Sequence, residues 1–459
     1  MDRVKTALEN ASQTKALLLG KGVIAGVGQL FKEQFPGKRA IIIADTTTWR
    51  VAGKQVHDLL ASDGVAQDEP YIFDEPEFHA EWKYIERLTD FLKGTDAVAI
   101  AVGSGTINDL TKLSSYHNDR RYMVVATAAS MDGYVAFGAS ITKDGNKQTF
   151  PCTAPLAVVA DVDIVATAPS QMTASGYAAL FAKVPAGADW ILADALGIEP
   201  IDPLAFGIVQ DGLHDALSDP LGARNGDPVA LQKLIEGLLL GGFAMQAYPK
   251  SSRPASGADH QFSHLLNMEN FVMKNGQAPS HGFQVSIGTL VSLSFHEMLT
   301  KSDVQGIDVE KCVAAWPSLE DQEAYALKLF EGTDFPTLGA REIKAKYVTP
   351  DELRQELETL KATWPETRER LLRQLVTVDE AVDMIRGDRW PAGYRPLLLV
   401  QGVYEGGCQQ KRLFRMSGLS VAVFNLGSSG GAEKRSLTLL TQKKAEMFGS
   451  FGNLPYLCR

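Results

Sequence analysis

Three short stretches of this sequence combine residue types that can bind a nucleotide, an anionic substrate and a metal ion. The first is Gly103-Ser104-Gly105-Thr106, which directly follows the apolar run 96–102 (DAVAIAV). Glycines allow a tight turn close to a ligand, and a helix starting there offers free N–H groups to an anion such as pyrophosphate. A Gly-Ser-Gly turn is also common after strands, and its spacing differs from the GxGxxG dinucleotide motif.

The second stretch is 127–134 (TAASMDGY), which follows the apolar run 122–126. Small and hydroxyl-bearing residues at the carboxyl end of a strand line the crevice where open α/β sheets bind ligands. The alternative is a polar turn that begins a helix, with Ser130 as its N-cap.

The third stretch holds three histidines within 22 positions: His260, His264 and His281. Imidazoles from two helices can converge on one divalent ion, and catalytic sites of this type usually take a third protein ligand. The alternative is a pair on a helix surface plus a loop histidine. The preceding string 252–259 (SRPASGAD) contains Arg253 and would suit a site that receives an anion.

Alternating strands and helices must position the first two stretches. Apolar, β-branched runs predict buried parallel strands, and apolar residues three and four apart predict a helix. The predicted strands are 39–45, 96–102, 122–126 and 155–161, and the predicted helix is 81–93. Strand, helix and strand in this order indicate a layered α/β sheet.

From about residue 165 the pattern becomes helical. The predicted helices include 231–247, 284–299, 349–360 and 364–376. Residues 396–459 differ again, with eight Lys and Arg against three Glu, a net charge of +5, and nine glycines. They predict either a loop-rich basic tail or a segment that does not belong to this fold, such as one from a shifted reading frame.

Composition limits the function classes. The 459 residues carry a net charge of -10, with 45% hydrophobic residues, as expected of a globular chain of two or three domains. This acidic balance argues against nucleic-acid or anionic-membrane binding. The longest apolar stretch, 234–245, is too short for a membrane span, and no signal-peptide core is visible. The four cysteines fit neither a disulfide framework nor a CxxC site, so we expect a cytoplasmic protein.

Taken together and in this order, the motifs resemble the sn-glycerol-1-phosphate dehydrogenase family. That family belongs to a wider group of metal-dependent polyol dehydrogenases and dehydroquinate synthases. The matching strings are GSGTINDLTK (103–112), ATAASMDGY (126–134), SGYAALFAK…ADW (175–190), SRPASGADHQFSH (252–264) and HGFQVSIGTL (281–290). The resemblance implies a Rossmann-like α/β domain (1–164) and an all-α domain (165–395), with the active site in the cleft between them.

The resemblance also implies roles for individual residues. Asp132 would bind the substrate, Lys183 and Arg253 are candidates for its phosphate, and His260 and His281 would be ligands of a divalent Zn, Ni or Fe ion. The residues implied for NAD or NADP binding are Asp45, Gly103, Ser104, Gly105, Thr106, Asp109, Thr127 and Ser130.

The reaction implied by the resemblance is hydride transfer between NAD(P)H and dihydroxyacetone phosphate, giving sn-glycerol 1-phosphate, with the metal polarising the carbonyl. We expect a small phosphorylated triose or polyol as partner, and a homo-oligomer. The alternatives are another polyol or sugar phosphate, or a silent cofactor-binding homologue.

One position departs from the family pattern. Ala179 stands where the family has an aspartate, the third metal ligand, and no carboxylate lies between residues 170 and 188. Three outcomes are open: Asp163, Asp189 or Asp259 substitutes, the metal binds weakly, or activity is lost.

Overall fold

The structure is a computed structural model that describes residues 3–386 except 76–77, 145, 270 and 274–275. The tail 396–459 and the end of the predicted helical region lie outside the described residues, so the predictions made for them stay predictions. The described part begins with a parallel sheet and continues as a set of helices.

The sheet has six parallel strands in the order β1-β8-β5-β4-β2-β3, and β6 and β7 form a separate antiparallel hairpin. The strands are β1 Ala16–Gly20, β2 Ala40–Asp45, β3 Tyr71–Phe73, β4 Val98–Gly103, β5 Met123–Ala126, β6 Ala139–Lys143, β7 Asn146–Phe150 and β8 Ala157–Asp161. All four predicted strands are found, as the central strands β2, β4, β5 and β8. Helices cover both faces of a parallel sheet, which explains why these strands are continuously apolar.

Helices alternate with the strands in the first part of the chain, and the predicted helix 81–93 is confirmed as α5. These helices are α1 Arg3–Asn10, α2 Val27–Gln34, α3 Thr46–Thr48, α4 Lys54–Ser62, α5 Trp82–Lys93, α6 Gly105–His117 and α7 Val162–Val165. A 3-10 turn, Val23–Gly26, and a π-helical turn, Trp49–Gly53, lie between them.

The strand order creates a crevice at one edge of the sheet. From β2 the chain crosses to β3 on one side, and from β4 it crosses to β5 on the other side. The carboxyl ends of these two neighbouring strands, Asp45 and Gly103, therefore flank a point where the connections diverge. Ligands of open α/β sheets bind at such switch points.

The second part of the described chain is all helical. Its helices are α8 Ser170–Phe181, α9 Lys183–Ala195, α10 Pro203–Gln210, α11 Leu213–Ala216, α12 Pro220–Asn225, α13 Pro228–Ala247, α14 Ala258–Met268, α15 His281–Lys301, α16 Val309–Ala314, α17 Leu319–Phe330, α18 Leu338–Lys346, α19 Pro350–Gln374 and α20 Val378–Arg386. The predicted helices 231–247 and 284–299 are thus found within α13 and α15. N-terminal α1 packs on α13, so the first residues contact the helical part.

Helix α13 is longer than the apolar stretch 234–245 suggests. Among the described residues it is the one helix long and apolar enough to cross a membrane by length and composition. The helix packs against α1, α8, α10 and α12, and its residues Leu234, Leu238 and Phe243 are fully buried. These contacts are those of a core helix.

The prediction of separate helices at 349–360 and 364–376 is wrong, because α19 runs through both. Pro365 lies inside α19 and removes one backbone hydrogen bond. Its neighbours Leu360, Trp364 and Leu371 are buried against α9, α15 and α16. Their apolar burial, at about 1.5–3 kcal/mol per side chain, offsets the lost bond.

Candidate functional site

The glycine turn lies where strand β4 passes into helix α6. Ser104 is extended and serves as the N-cap residue, and Gly105 is the first helical residue. A Cβ atom at Gly103 would lie 2.5 Å from the Cβ of Ile107, so this position requires glycine. The first N–H groups of a 13-residue helix consequently stand at the carboxyl edge of the sheet, beside the crevice.

The second stretch lies against this turn. The Thr127 N–H donates to the carbonyl of Gly103 at 3.1 Å, and the Met131 side chain lies 3.4 Å from where a Cβ of Gly105 would be. No helix begins at Ser130, because residues 127–138 form a loop. The helix-capping alternative is therefore wrong, and the loop brings Asp132 close to the glycine turn.

Buried charges hold this loop in place. Lys112 is fully buried and donates its three N–H groups to the carbonyls of Gly133, Ala136 and Gly138 at 2.9–3.1 Å. Asp109 accepts from the Ser140 N–H at 3.1 Å, and burial raises its pKa. These contacts give Asp109 a role in joining α6 to the β6–β7 hairpin.

Asp45 ends strand β2 at the other side of the crevice. Its Oδ1 accepts from the N–H groups of Thr47 and Thr48 at 2.8 Å each, which makes it the N-cap of α3. The carboxylate charge thus sits at the switch point, where the resemblance implies a residue that binds NAD or NADP.

Asp132 and Lys183 form a largely buried ion pair. The fully buried Lys183 ammonium donates to the Asp132 carboxylate and to the carbonyl of Ala255 at 2.5 Å. Burial alone would raise the pKa of Asp132, but the Lys183 ammonium beside it outweighs burial and lowers the pKa to about 2. The pair therefore joins the loop after β5 to α9 and to the segment before α14.

The imidazoles of His260 and His281 come together, with ring centroids 5.4 Å apart. Nδ1 of His260 pairs with the Asp259 carboxylate at 2.5 Å, and Nδ1 of His281 with the Ser263 hydroxyl at 3.2 Å. Fixing Nδ1 in this way orients a ring and leaves Nε2 for another partner. Burial lowers the pKa of His281 well below its usual range, so this imidazole is neutral at pH 7.

Close helix packing determines where His281 lies. A Cβ atom on Gly282 would lie 1.8 Å from the carbonyl oxygen of Ser175, so the start of α15 contacts α8 backbone to backbone. Ala179 and Lys183 follow Ser175 at four-residue intervals, and the helical backbone continues through Ala182. Ala179 therefore lies between the start of α15 and the Lys183–Asp132 pair.

The residues present do not fit a three-ligand metal site. The described residues include no group of three or more His, Cys, Asp or Glu side chains able to hold a metal ion. Asp259 is taken by His260, Asp189 accepts from His296 at 2.7 Å, and Asp163 lies near Lys21. None of the three considered carboxylates replaces the missing ligand.

The structure also shows the surroundings of two further candidate residues, His264 and Arg253. His264 lies one helical turn after His260 on α14 and is exposed, and crowding by neighbouring protein atoms lowers its pKa. Arg253 directs its Nε to the Glu199 carboxylate at 2.9 Å, in a cluster with Ser251. This pairing already supplies the guanidinium with a counter-charge, and the phosphate role of Arg253 stays a prediction.

Lys147 was missed by the sequence analysis. It lies on β7, which packs against α14, and its ammonium is close enough to Asp109, His264 and His281 to interact electrostatically. Crowding by protein atoms lowers its pKa, with Asp109 opposing this. The sequence signal that could have found it is the dipeptide Asp144-Gly145, which is typical of a β-hairpin turn.

Comparison with known proteins decides the family. Residues 18–169 match the family model described as iron-containing alcohol dehydrogenase. Glycerol-1-phosphate dehydrogenases [NAD(P)+] from Bacillus subtilis and Pyrococcus horikoshii are each 30% identical to the chain, over 65% and 61% of its length and 77% and 78% of theirs. The chain belongs to the glycerol-1-phosphate dehydrogenase family. A further relative, from Halalkalibacterium halodurans, is 32% identical over 58% of this chain and 66% of its own length.

The fold agrees with this membership. A probable glycerol dehydrogenase from Sinorhizobium meliloti aligns with a TM-score of 0.51 and 19% identity, covering 76% of this chain and 97% of that one. A glycerol dehydrogenase from Schizosaccharomyces pombe aligns with a TM-score of 0.53 and 16% identity, covering 84% and 94%. The predicted fold, a Rossmann-like α/β part followed by an all-α part, is confirmed. As a family member, the chain is an NAD(P)-dependent oxidoreductase.

Proposed function

We propose that this glycerol-1-phosphate dehydrogenase family member reduces dihydroxyacetone phosphate to sn-glycerol 1-phosphate with NADH or NADPH, and catalyses the reverse reaction. The observation that carries the proposal is a continuous set of contacts from the glycine turn to the charged cleft. Met131 lies against Gly105, and its neighbour Asp132 pairs with Lys183. These contacts support a single site in which the nucleotide and the polar substrate would bind side by side.

The cofactor would lie along the crevice between β2 and β4. Its pyrophosphate would accept from the first N–H groups of α6, in the turn Gly103 to Thr106. Asp45 would lie near the adenosine ribose, and Thr127 and Ser130 near the nicotinamide end. This direction leads the reactive ring toward Asp132.

The substrate would be held by the charges that face the ring. The Asp132 carboxylate can accept a hydrogen bond from a substrate hydroxyl, because only part of its capacity is used by Lys183. Lys147, an ammonium from the β6–β7 hairpin, would attract the phosphate. When bound, the reduced cofactor would supply a hydride with its electron pair to the carbonyl carbon of the substrate, and the carbonyl oxygen would take a proton.

An unphosphorylated polyol or another sugar phosphate is the second candidate substrate. The pairing of Arg253 with Glu199 favours it, because that guanidinium is already neutralised. In this case the same cleft would bind hydroxyl groups through Asp132.

Oxidation of NADH and NADPH by dihydroxyacetone phosphate, compared with dihydroxyacetone, separates the two substrates. We expect turnover with the phosphate ester and at least tenfold lower kcat/KM without the phosphate, since a charge-assisted contact contributes about 1.5–3 kcal/mol. The product should not be oxidised by a dehydrogenase specific for sn-glycerol 3-phosphate. Turnover of dihydroxyacetone alone would refute the substrate assignment, and cofactor binding without any turnover would indicate a silent homologue.

The remaining expectations belong to the same proposal. We place the enzyme in the cytoplasm as a homo-oligomer that uses small molecules and binds no nucleic acid. The family implies a metal ion, whose identity among Zn, Ni and Fe is open. His260 and His281 would supply two nitrogen ligands to such an ion.

A further inference from the structure

The charges of the cleft are already balanced without a divalent ion. Asp132, a carboxylate close enough to both imidazoles to interact with them electrostatically, is paired with the Lys183 ammonium. Asp259 pairs with His260, and Lys147 interacts electrostatically with Asp109. The two imidazoles bring no negative charge, and among the described residues the carboxylates beside them already have partners, so a divalent ion would meet no free carboxylate.

Lys183 is the cation that the fold places against Asp132, the residue proposed to bind the substrate. Its side chain is fully buried, at the start of α9, and donates to Asp132 and to the carbonyl of Ala255. An ammonium has three N–H donors. Among the described residues, Asp132 and the carbonyl of Ala255 are partners for two of them, so one donor is left for a substrate oxygen beside Asp132.

We propose that hydride transfer in this chain needs no divalent metal, and that Lys183 stabilises the oxygen of the reacting carbonyl. The inference rests on the proposed function and concerns which cation acts there. A positive donor fixed where negative charge develops stabilises the transition state without reorganisation. In the family pattern a divalent metal ion is the cation beside the carbonyl oxygen, whereas in this chain the Lys183 ammonium would take that place.

The step balances as follows for a ketone substrate. The hydride and its electron pair pass from C4 of the dihydronicotinamide to the carbonyl carbon, which oxidises the cofactor and breaks the C=O π bond. The oxygen takes a proton from the Lys183 ammonium, and solvent returns a proton to the amine. Asp132 holds the ammonium in position through their ion pair.

The test uses the full-length enzyme after exhaustive chelation with EDTA, with metal content measured by elemental analysis. Oxidation of NADH by dihydroxyacetone phosphate should keep its rate within about twofold after chelation, and added Zn²⁺ or Fe²⁺ should not raise it. Lys183→Met should lower kcat about 10²–10³-fold, the usual loss of one oxyanion donor, with NADH affinity unchanged. Lys361→Met is the matched control, because that ammonium donates to the Ile307 carbonyl away from the cleft and its loss should leave kcat unchanged.

Each failure has a distinct meaning. Turnover that disappears on chelation and returns with Zn²⁺ or Fe²⁺ would overturn the inference and leave the proposed function intact. A Lys183→Met enzyme that keeps its kcat would overturn it as well. If the chain reduces another carbonyl compound but not dihydroxyacetone phosphate, the substrate proposal fails. The effect of chelation and of added metal is then measured on the reduction of that other compound. The chelation test does not depend on whether a variant folds.

Discussion

Replacing Ala179 with aspartate should create the third metal ligand that this cleft lacks. Position 179 lies one helical turn after Ser175, which contacts the start of α15 beside His281, and one turn before Lys183. A carboxylate there projects toward the space between the imidazoles and the Lys183–Asp132 pair. It would add one negative charge and complete a set of two nitrogens and one oxygen, which is a common zinc donor set.

The expected gain in metal affinity is at least about 100-fold. Removing a group that merely orients a ligand costs about 10–100-fold in affinity, and a charged ligand contributes more. A hundredfold corresponds to about 2.8 kcal/mol. Ala179 is 1% exposed among apolar side chains, so without metal the buried carboxylate destabilises the protein. A metal concentration of a hundred times the Kd should raise the free energy of unfolding of the variant by about 2.7 kcal/mol, which corresponds to a rise of several degrees in Tm.

Calorimetric titration of Zn²⁺ into chelated protein measures the affinity, and thermal unfolding with and without Zn²⁺ measures the stability. Ala178→Asp is the matched control, since Ala178 is also buried in α8 but neighbouring helix positions face different directions. It should destabilise the protein without gaining zinc affinity. Equal affinity in Ala179→Asp and the wild-type protein, or an equal gain in both variants, would refute the placement of position 179.

Three further predictions test other parts of the cleft. Asp45→Asn keeps the α3 cap but removes the charge at the crevice, so the KM for NADPH should fall relative to that for NADH; an unchanged ratio in steady-state kinetics would contradict the ribose position. Lys147→Met should raise the KM for dihydroxyacetone phosphate about tenfold and leave that for dihydroxyacetone unchanged, and equal effects on both would exclude a phosphate contact. The lowered pKa of Asp132 means that its ion pair stabilises the fold above the ordinary carboxyl pKa of about 4, and that this contribution is lost as the pH falls toward 2. Acid unfolding of Lys183→Met followed by circular dichroism should lack the contribution, and a profile parallel to the wild type would contradict it.

The central strands were predictable because burial on both faces selects continuous apolar, β-branched runs, as in β2 and β4. Strand β1 was missed because its sequence, ALLLG, consists mostly of good helix formers at the edge of the sheet. The three residues of β3 are too few for a periodic signal. Continuity of α19 through Pro365 was missed because tertiary packing overrides the local preference of proline.

The sequence located most chemical groups of the site but not their partners. The approach of His260 to His281 and the position of Gly103 at a strand end follow from motifs. The pairing of Arg253 with Glu199 joins residues 54 positions apart, and no local pattern reports it. Lys147 depends on how the hairpin folds over α14, which is a tertiary contact.

A structure determined with NAD+ bound tests the central claim most directly, because that claim is the shared cleft. We predict the pyrophosphate at the Gly103–Thr106 turn and the nicotinamide ring facing Asp132, Lys183 and the imidazoles of His260 and His281. A ring bound outside this cleft, or a pyrophosphate away from the start of α6, would contradict the account.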